Sequence, residues 1–164
     1  MSEKKKYKYG VIIASDSRST GERADGCIQT IKNTMGEDYQ MVVSVILPDD
    51  IQTLQQEMVR IADEMQLPLL LTSGGTGLGP RDNTPEATLG ILHKETPGIS
   101  EAIRLMSKEK TPHWMLSRAV SGIRGTTLII NLPGSPKAVR ESIEAILPAL
   151  GHGLDVLTGA FTQH

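Results

Sequence analysis

Three glycines and two hydroxyl side chains follow an apolar run, in the order Ser73, Gly74, Gly75, Thr76 and Gly77. Glycines let the backbone adopt positive φ and let a bulky anion approach it closely, and successive amide groups then form an anion-binding nest. The Gly-Lys-Ser/Thr ending of a P-loop is missing, and no predicted helix begins at the last glycine, as a dinucleotide-binding fingerprint requires. The pattern predicts a loop that holds a phosphate group, and a tight strand-to-helix connection is the alternative interpretation.

Aspartates near the ends of two apolar runs are candidates for metal and phosphate chemistry. Arg81 and Asp82 follow the glycine-rich segment. An arginine beside a nest suits a phosphate, and an aspartate suits Mg²⁺ held between carboxylate and phosphate oxygens. Asp50 has a structural role as the cap of a helix that begins at Ile51, whereas Asp49 has none, which favours Asp49 as the functional residue. Solvated loop charges are the alternative for Arg81 and Asp82.

A second loop with anion-binding character, residues 133–137 (Pro-Gly-Ser-Pro-Lys), opens the last predicted helix. The N-terminus of a helix attracts anions because its peptide dipoles and free N–H groups point outward. We expect Ser135 to act mainly as the helix cap and Lys137 to add positive charge. Ser117 and Arg118 precede the last predicted strand, and residue chemistry leaves open whether they line the site or lie on the surface.

Alternating apolar strands and helices must position these loops. Continuous apolar runs predict buried strands at Tyr9–Ala14, Met41–Leu47, Leu67–Thr72 and Thr126–Asn131. Helices are predicted to end near Met35, to begin at Ile51, to run from Thr84 to about His93, and to span Pro97–Ser107 and Pro136 to about Leu157. Such alternation predicts a single α/β domain over residues 1–164, a three-layer α/β/α fold with a mostly parallel sheet. Because ligands bind outside the carboxyl ends of such strands, the candidate loops should converge there with Ser15 and Asp16.

Local signals within these elements give sharper expectations. The polar stretch Ser15–Asp25 is predicted as a loop, and Thr84 as the cap of a helix with Pro85 in its first turn. Helical spacing places five apolar residues on one face, which we interpret as core and not as a cofactor surface: Ile51, Leu54, Met58, Ile61 and Met65.

Composition argues against several classes of protein. The 17 Lys and Arg residues against 19 Asp and Glu residues give a net charge of −2, which argues against nucleic-acid binding by bulk charge. The four histidines show no metal-ligand spacing and no Gly-x-Ser-x-Gly elbow is present, so neither a zinc site nor a hydrolase triad is expected. A single cysteine and the lack of a long apolar segment lead us to expect a cytoplasmic protein with no membrane partner.

Two long motifs resemble the signatures of the molybdenum-cofactor biosynthesis family. The first is Thr72–Ala87, TSGGTGLGPRDNTPEA, and the second is Leu116–Lys137, LSRAVSGIRGTTLIINLPGSPK. Ser15-Asp16 and Leu47-Pro48-Asp49 also match, and the resemblance covers about residues 7–157. The chain looks most like the Mog-type molybdopterin adenylyltransferases and is similar to the G domains of gephyrin and plant Cnx.

The resemblance implies that the protein transfers AMP from ATP to the terminal phosphate of molybdopterin, releasing pyrophosphate, in a Mg²⁺-dependent reaction. Asp49 and Asp82 correspond to the two aspartates that the family needs for adenylyl transfer, and they are assigned to catalysis and to the metal. The implied substrate-binding residues are Ser15, Asp16, Ser73, Gly74, Gly75, Thr76, Gly77, Arg81, Thr84, Glu86, Ser117, Arg118, Pro133, Gly134, Ser135 and Lys137. A homotrimer and a transient contact with the molybdate-inserting protein of the pathway are further expectations.

The residue chemistry agrees with that reaction. A phosphate monoester is largely ionised at neutral pH, with a second pKa of about 6, so no placed general base is needed. Charge at the reacting phosphates must instead be neutralised, for which Arg81, Arg118 and Lys137 are candidates. The alternatives are a non-catalytic or differently specific molybdopterin-binding protein of the MoaB-like branch, and a generic nucleotide-binding regulator. Retention of Arg81-Asp82 and Pro48-Asp49 favours the enzyme.

Overall fold

A six-stranded sheet forms the centre of the protein. The structure is a computed structural model that describes residues 6–21 and 26–160. The strands are β1 (Tyr7–Ala14), β2 (Tyr39–Leu47), β3 (Leu69–Ser73), β4 (Lys94–Glu95), β5 (Ser121–Arg124) and β6 (Thr127–Leu132). They lie in the order β2-β1-β3-β6-β5-β4. Strands β2, β1, β3 and β6 run parallel, whereas β5 pairs antiparallel with both β6 and β4.

Helices cover both faces of this sheet. They are α1 (Asp16–Ser19), α2 (Cys27–Met35), α3 (Ile51–Val59), α4 (Thr84–Leu89), α5 (Pro97–Ser107) and α6 (Pro136–Thr158). Helix α3 continues into a π-helical turn, Arg60–Glu64, and a 3₁₀ turn spans Pro112–Leu116. Helices α2, α5 and α6 pack on one face, and α3 and α4 on the other, each group over its own buried apolar cluster. The predicted three-layer α/β/α architecture is therefore confirmed.

The apolar runs form strands because both of their faces are buried. Every residue of β3 and β6 is buried. Leu69 and Leu71 belong to the apolar cluster under α6, whereas Leu70 belongs to the cluster under α3. Burial on both faces requires a continuous apolar run in place of an alternating one. In the part of the chain that the structure describes, no helix is both long and apolar enough to cross a membrane.

The polar segment Ser15–Asp25, predicted as a loop, contains the helix α1. Ser15 caps this helix by accepting a hydrogen bond from the backbone N–H of Arg18 at 3.3 Å. A single helical turn is too short to show an apolar period, so the sequence displays polar loop character alone. Residues 22–25 lie outside the described part of the chain.

Helix α4 also departs from expectation at both ends. It ends at Leu89 and not near His93. The N–H of His93 donates to the carbonyl oxygen of Ile123 at 2.8 Å, which draws this segment onto β5. Asn83, not Thr84, occupies the N-cap position. Thr84 therefore lies in the first turn, and its hydroxyl is not used as a cap.

The other caps and most of the predicted core face are as expected. Asp50 and Ser135 cap α3 and α6, and their side chains accept hydrogen bonds from the backbone N–H three residues later at 2.9 and 3.3 Å. Ile51 is 36% exposed and lies outside the core. Three of the other residues of the predicted face are fully buried: Leu54, Met58 and Ile61.

Candidate active site

Loops from four strands meet around one cavity at the carboxyl ends of the parallel strands. The cavity has a volume of about 380 Å³. Most of its lining residues are candidates from the sequence, although Arg18 is not among them. The lining residues are Ala14, Ser15, Arg18, Asp49, Gly74, Gly75, Asp82, Gly134, Ser135 and Pro136.

The glycine-rich loop turns sharply at the end of β3. Gly74 and Gly75 have φ values of 95° and 69°, and a Cβ atom on Gly75 would overlap the hydroxyl of Thr84. Among the described residues, the N–H groups of Gly75, Thr76 and Gly77 donate to no protein acceptor. Consecutive free amides in a turn of this kind form a concave site for an anion.

The loop after β6 is tied to the glycine-rich loop and to the first helices. The hydroxyl of Ser73 donates to the carbonyl oxygen of Pro133 at 2.7 Å. The carbonyl oxygen of Gly134 accepts a hydrogen bond from the Arg18 guanidinium at 3.1 Å and another from the Cys27 thiol at 3.4 Å. These contacts fix the N-terminus of α6 against the cavity.

Asp16 and Asp49 hold each other in place. The N–H of Asp16 donates to Oδ2 of Asp49, and the N–H of Asp49 donates to Oδ1 of Asp16, both at 3.0 Å. Arg81 then makes two hydrogen bonds of 3.0 Å to the Asp16 carboxylate. The guanidinium lowers the pKa of Asp16, so this carboxylate stays ionised. Arg81, predicted to bind phosphate, thus rests on a carboxylate in this structure.

Asp49 and Thr84 each carry a buried oxygen atom that has no hydrogen-bond partner among the described residues. These atoms are Oδ1 of Asp49 and Oγ1 of Thr84. Both lie close to Gly75, where an added Cβ atom would lie 3.0 Å from Oδ1 and would overlap Oγ1. Burial raises the pKa of Asp49. Buried polar atoms are normally paired, so these two oxygens are candidate ligand atoms, and Asp49 also lines the cavity.

Asp82 borders the cavity, but its carboxylate also shapes the glycine-rich loop. Oδ2 of Asp82 accepts a hydrogen bond from the N–H of Gly79 at 2.9 Å. Each of the two predicted metal ligands thus has one oxygen engaged by a backbone N–H, and they differ in that the other oxygen of Asp49 is buried without a partner among the described residues. Within residues 6–21 and 26–160, no group of three His, Cys, Asp or Glu side chains is arranged to hold a metal ion. An ion here would also need hydroxyl, water or ligand oxygens.

Arg118 and Glu86, both predicted to bind substrate, pair with each other beside the glycine-rich loop. Their closest nitrogen and oxygen atoms are 2.8 Å apart. The other guanidinium nitrogens of Arg118 donate to carbonyl oxygens of the loop. Neither residue lines the cavity. Their assignment to substrate binding stays a prediction.

Ser117 and Lys137 have few contacts of their own. The hydroxyl of Ser117 accepts a hydrogen bond from the N–H of Ala119 at 3.3 Å. Lys137 is exposed in the first turn of α6, whose N-terminal residues Ser135 and Pro136 line the cavity. Both positions therefore keep their predicted roles as open expectations.

Asn131 supports the site from beneath and was missed by sequence reasoning. Its side chain is fully buried. Its Nδ2 donates to the hydroxyls of Thr72 and Thr88 at 2.9 and 3.0 Å, and its Oδ1 accepts the N–H of Val120 at 3.1 Å. The Thr88 hydroxyl donates in turn to the carbonyl oxygen of Thr84 at 2.8 Å. The signal was an amide side chain that follows three consecutive apolar residues inside a strand.

Comparisons with known proteins place this chain and its fold in one family. The family described as "Probable molybdopterin binding domain" matches residues 10–152. A protein of Helicobacter pylori strain J99 named molybdopterin adenylyltransferase is 38% identical over 157 residues, which cover 94% of this chain and 89% of that protein. The crystal structure of the molybdopterin biosynthesis enzyme MoaB from Thermus thermophilus is 45% identical with a TM-score of 0.89, covering 93% of this chain and 97% of its own. The Mog protein from Mycobacterium ulcerans is 36% identical with a TM-score of 0.83, covering 92% and 99%. The chain therefore belongs to the molybdopterin-binding domain family of molybdenum-cofactor biosynthesis.

Proposed function

We propose that the protein is a molybdopterin adenylyltransferase, which transfers AMP from ATP to the phosphate of molybdopterin and releases pyrophosphate. The observation that carries the proposal is the pair of buried, unpartnered oxygens of Asp49 and Thr84 beside the glycine-rich loop. A relative that is 38% identical over 94% of this chain bears the name of that activity. Fold, site and family thus favour one reaction.

The glycine-rich loop supplies the anion site of this reaction. The free N–H groups of Gly75, Thr76 and Gly77 offer three adjacent donors to a phosphate. A phosphate monoester bound there is largely ionised at neutral pH, since its second pKa is about 6, and it needs no general base. The work of the chain is therefore to orient two polyanions and to offset their charge.

The residues beside the loop fit Mg²⁺, which prefers oxygen ligands. Oδ1 of Asp49 and Oγ1 of Thr84 would hold the ion, and the carboxylate of Asp82 borders the same cavity. When bound, Mg²⁺ neutralises charge on the nucleotide phosphates. A cation near Asp49 would also favour its ionised form, which burial disfavours in the protein alone.

Two arginines bring positive charge to the site in different ways. Arg18 lines the cavity and is anchored by the carbonyl oxygen of Gly134 at 3.1 Å. Arg81 is 61% exposed and paired with Asp16. Exposed ion pairs are weak, so an incoming phosphate can take over the Arg81 guanidinium.

A second candidate function is that of a non-catalytic or differently specific molybdopterin-binding protein of the MoaB-like branch. The 45% identity to the MoaB enzyme of Thermus thermophilus favours the differently specific form of this alternative. The free carboxylate oxygen of Asp49 favours the transferase, since pterin binding alone gives no reason for a buried carboxylate oxygen without a partner. The homotrimer, the cytoplasmic location and the contact with a molybdate-inserting protein stay predictions from the family resemblance.

Incubation with molybdopterin, ATP and Mg²⁺ tests the proposal. Pyrophosphate release and an adenylylated pterin, followed by mass spectrometry, are the expected results, and both should disappear when Mg²⁺ is chelated. Asp49→Asn should lose turnover, whereas its neighbour Asp50→Asn, at a helix cap, serves as the matched control. Bound pterin without pyrophosphate would favour the second candidate. Tight ATP binding that is indifferent to molybdopterin would favour a nucleotide-binding regulator.

A further inference from the structure

We propose that Arg118 is a positioning residue, whose guanidinium, oriented by Glu86, holds the glycine-rich loop in shape and does not bind phosphate. We call the pair Arg118 and Glu86 the brace. The family resemblance places both residues in the substrate pocket, and the structure gives them a different task. The kinetic part of this inference rests on the proposed adenylyl transfer, whereas the structural part does not.

All three guanidinium nitrogens of Arg118 are engaged. Nε donates to the carbonyl oxygen of Gly77 at 2.8 Å, and Nη2 donates to the carbonyl oxygen of Asp82 at 2.7 Å. Nη1 lies 3.0 and 2.8 Å from the two carboxylate oxygens of Glu86. The backbone N–H of Arg118 adds a hydrogen bond to the carbonyl oxygen of Thr76 at 2.8 Å. One residue thus holds both ends of the turn between Gly77 and Asp82.

Arg81 and Arg118 differ in the hydrogen-bond partners that each guanidinium would have to give up in order to bind a phosphate. Arg81 is 61% exposed and is held by the carboxylate of Asp16. Arg118 is 36% exposed, and it would have to leave two loop carbonyl oxygens as well as Glu86. Hydrogen bonds from a charged donor are about twice as strong as neutral ones. Arg81 is therefore the cation that can move to a ligand, and Arg118 is the one that stays.

The turn that the brace holds carries groups of the proposed site. Asp82 lies at one end of the turn and borders the cavity. The free N–H groups of Thr76 and Gly77 lie at the other end. A displacement of about 1 Å in such a site can lower the rate by roughly 100-fold. The brace therefore acts on the reaction through the loop, without contact with the reacting atoms.

Steady-state kinetics of three variants distinguish a residue that holds the loop from a residue that binds phosphate. Arg118→Met removes the brace, and Arg118→Lys keeps the charge but lacks the planar fork that reaches two carbonyl oxygens and a carboxylate. Both should lower kcat by about 10- to 100-fold, with KM for ATP and molybdopterin changed by less than about threefold. Arg81→Met is the matched control, because Arg81 is the cation that we expect to contact a phosphate. This variant should instead raise the KM for ATP or molybdopterin. Full activity in Arg118→Lys, or a loss confined to KM, would overturn the proposal.

Native-state hydrogen exchange measures the loop without turnover. The N–H groups of Gly79, Asp82 and Thr84 are hydrogen-bonded within the loop at 2.9, 3.0 and 3.1 Å. Their exchange should be at least about tenfold faster in both Arg118 variants, with α6 unchanged as the internal reference. Exchange at the wild-type rate would contradict the brace, whether or not the protein transfers AMP.

Glu86→Gln covers the case in which the Arg118 variants fail to fold. The amide keeps one acceptor for Nη1 but loses the charge that orients the guanidinium. The same amides should exchange faster than in the wild type, by a smaller factor than in the Arg118 variants. A loop as protected as in the wild type, in a folded Glu86→Gln protein, would show that Glu86 does not support Arg118.

Discussion

The two loops that meet at the site, residues 74–83 after β3 and residues 133–135 after β6, are ordered in different ways. The loop after β6 is three residues long and leads directly into α6, which Ser135 caps. The loop after β3 is ten residues long and is held by hydrogen bonds that Arg118 donates to two of its carbonyl oxygens, and by one that the N–H of Gly79 donates to the carboxylate of Asp82 within the loop. Both loops receive hydrogen bonds from side chains outside them, but the short loop is also ordered by the capped N-terminus of α6.

The same two loops differ in their unsatisfied polar groups. Beside the loop after β3 lie the unpartnered oxygens of Asp49 and Thr84. In the loop after β6, the carbonyl oxygens of Pro133 and Gly134 are both engaged by side chains. Unpaired buried polar atoms are costly, and a bound ligand or ion is one explanation for them. We infer that the loop after β3 is the reacting site and that the loop after β6 is mainly its scaffold.

The largest effect is expected from Asp49→Asn, which removes the charge beside the loop after β3 and keeps the shape of the side chain. Removing one group that stabilises charge in the transition state costs about 100- to 1,000-fold in kcat. Steady-state kinetics should show this loss in the variant, with Asp50→Asn close to the wild type. Turnover of Asp49→Asn within tenfold of the wild type would remove Asp49 from the mechanism.

The same variant should be at least as stable as the wild type at neutral pH. Burial raises the pKa of Asp49. The Asp49 carboxylate therefore binds a proton more tightly in the folded state than in the unfolded state. The contribution of Asp49 to the unfolding free energy therefore falls as pH rises from its unfolded pKa through its folded pKa. We expect urea unfolding to show that the unfolding free energy of Asp49→Asn, relative to that of the wild type, increases from about pH 3.5 to pH 7. A gap that closes with rising pH would contradict this environment for Asp49.

A glycine-to-alanine substitution in each loop compares directly how well the two loops accept a side chain. Gly75→Ala places a side chain on a residue with φ of 69° and against Thr84 and Asp49, so we expect a loss of about 1–3 kcal/mol in stability together with loss of activity. Gly134→Ala is the matched change, since its Cβ would be 3.5 Å from the Cα of Gly74, an ordinary contact. Urea unfolding of both variants measures the difference. Equal losses would mean that the two loops are equally constrained.

Asn131→Leu tests the support beneath the loop after β3. The change leaves the N–H of Val120 unpaired and frees the hydroxyls of Thr72 and Thr88 in the core. Leaving such groups unsatisfied costs about 1–3 kcal/mol of stability. Chemical denaturation measures this cost, and Mg²⁺-dependent activity should fall because Thr88 holds the carbonyl oxygen of Thr84. A variant of wild-type stability would show that the network is dispensable.

The smallest effect is expected from Ser135→Ala in the loop after β6. Loss of the cap bond to the N–H of Ala138 should cost about 1 kcal/mol of stability. Thermal unfolding measures this loss. Wild-type stability with turnover abolished would show that Ser135 acts on the substrate, and it would reverse the assignment of scaffold to this loop.

Much of this arrangement can be predicted from the sequence because its signals are local. Apolar runs locate β1, β2, β3 and β6, and the order of strands and helices then predicts which loops share an edge. Strand β4, with two residues, and strand β5, with four, carry no such run and depend on pairing with each other and with β6. Short antiparallel strands of this kind are fixed by tertiary contacts.

In the functional site, too, some features can be predicted from local sequence and others depend on tertiary contacts. Asp49 could be chosen from the sequence because its neighbour Asp50 already accounts for the helix cap. That Arg118 holds the loop, and that Arg81 rests on Asp16, could not be predicted, because both depend on which partners the fold brings within reach. A charged side chain in a loop has the same sequence signature whether it meets a ligand or a neighbouring carboxylate.

A crystal structure of the protein with ATP, Mg²⁺ and molybdopterin would show directly which of the two loops is the reacting site. We predict a phosphate on the N–H groups of Gly75, Thr76 and Gly77, a metal ion bound to Oδ1 of Asp49, and Arg118 still on its loop carbonyl oxygens. A phosphate seated on the N-terminus of α6 instead, with the amides of the loop after β3 unoccupied and Asp49 free of metal, would contradict the assignment.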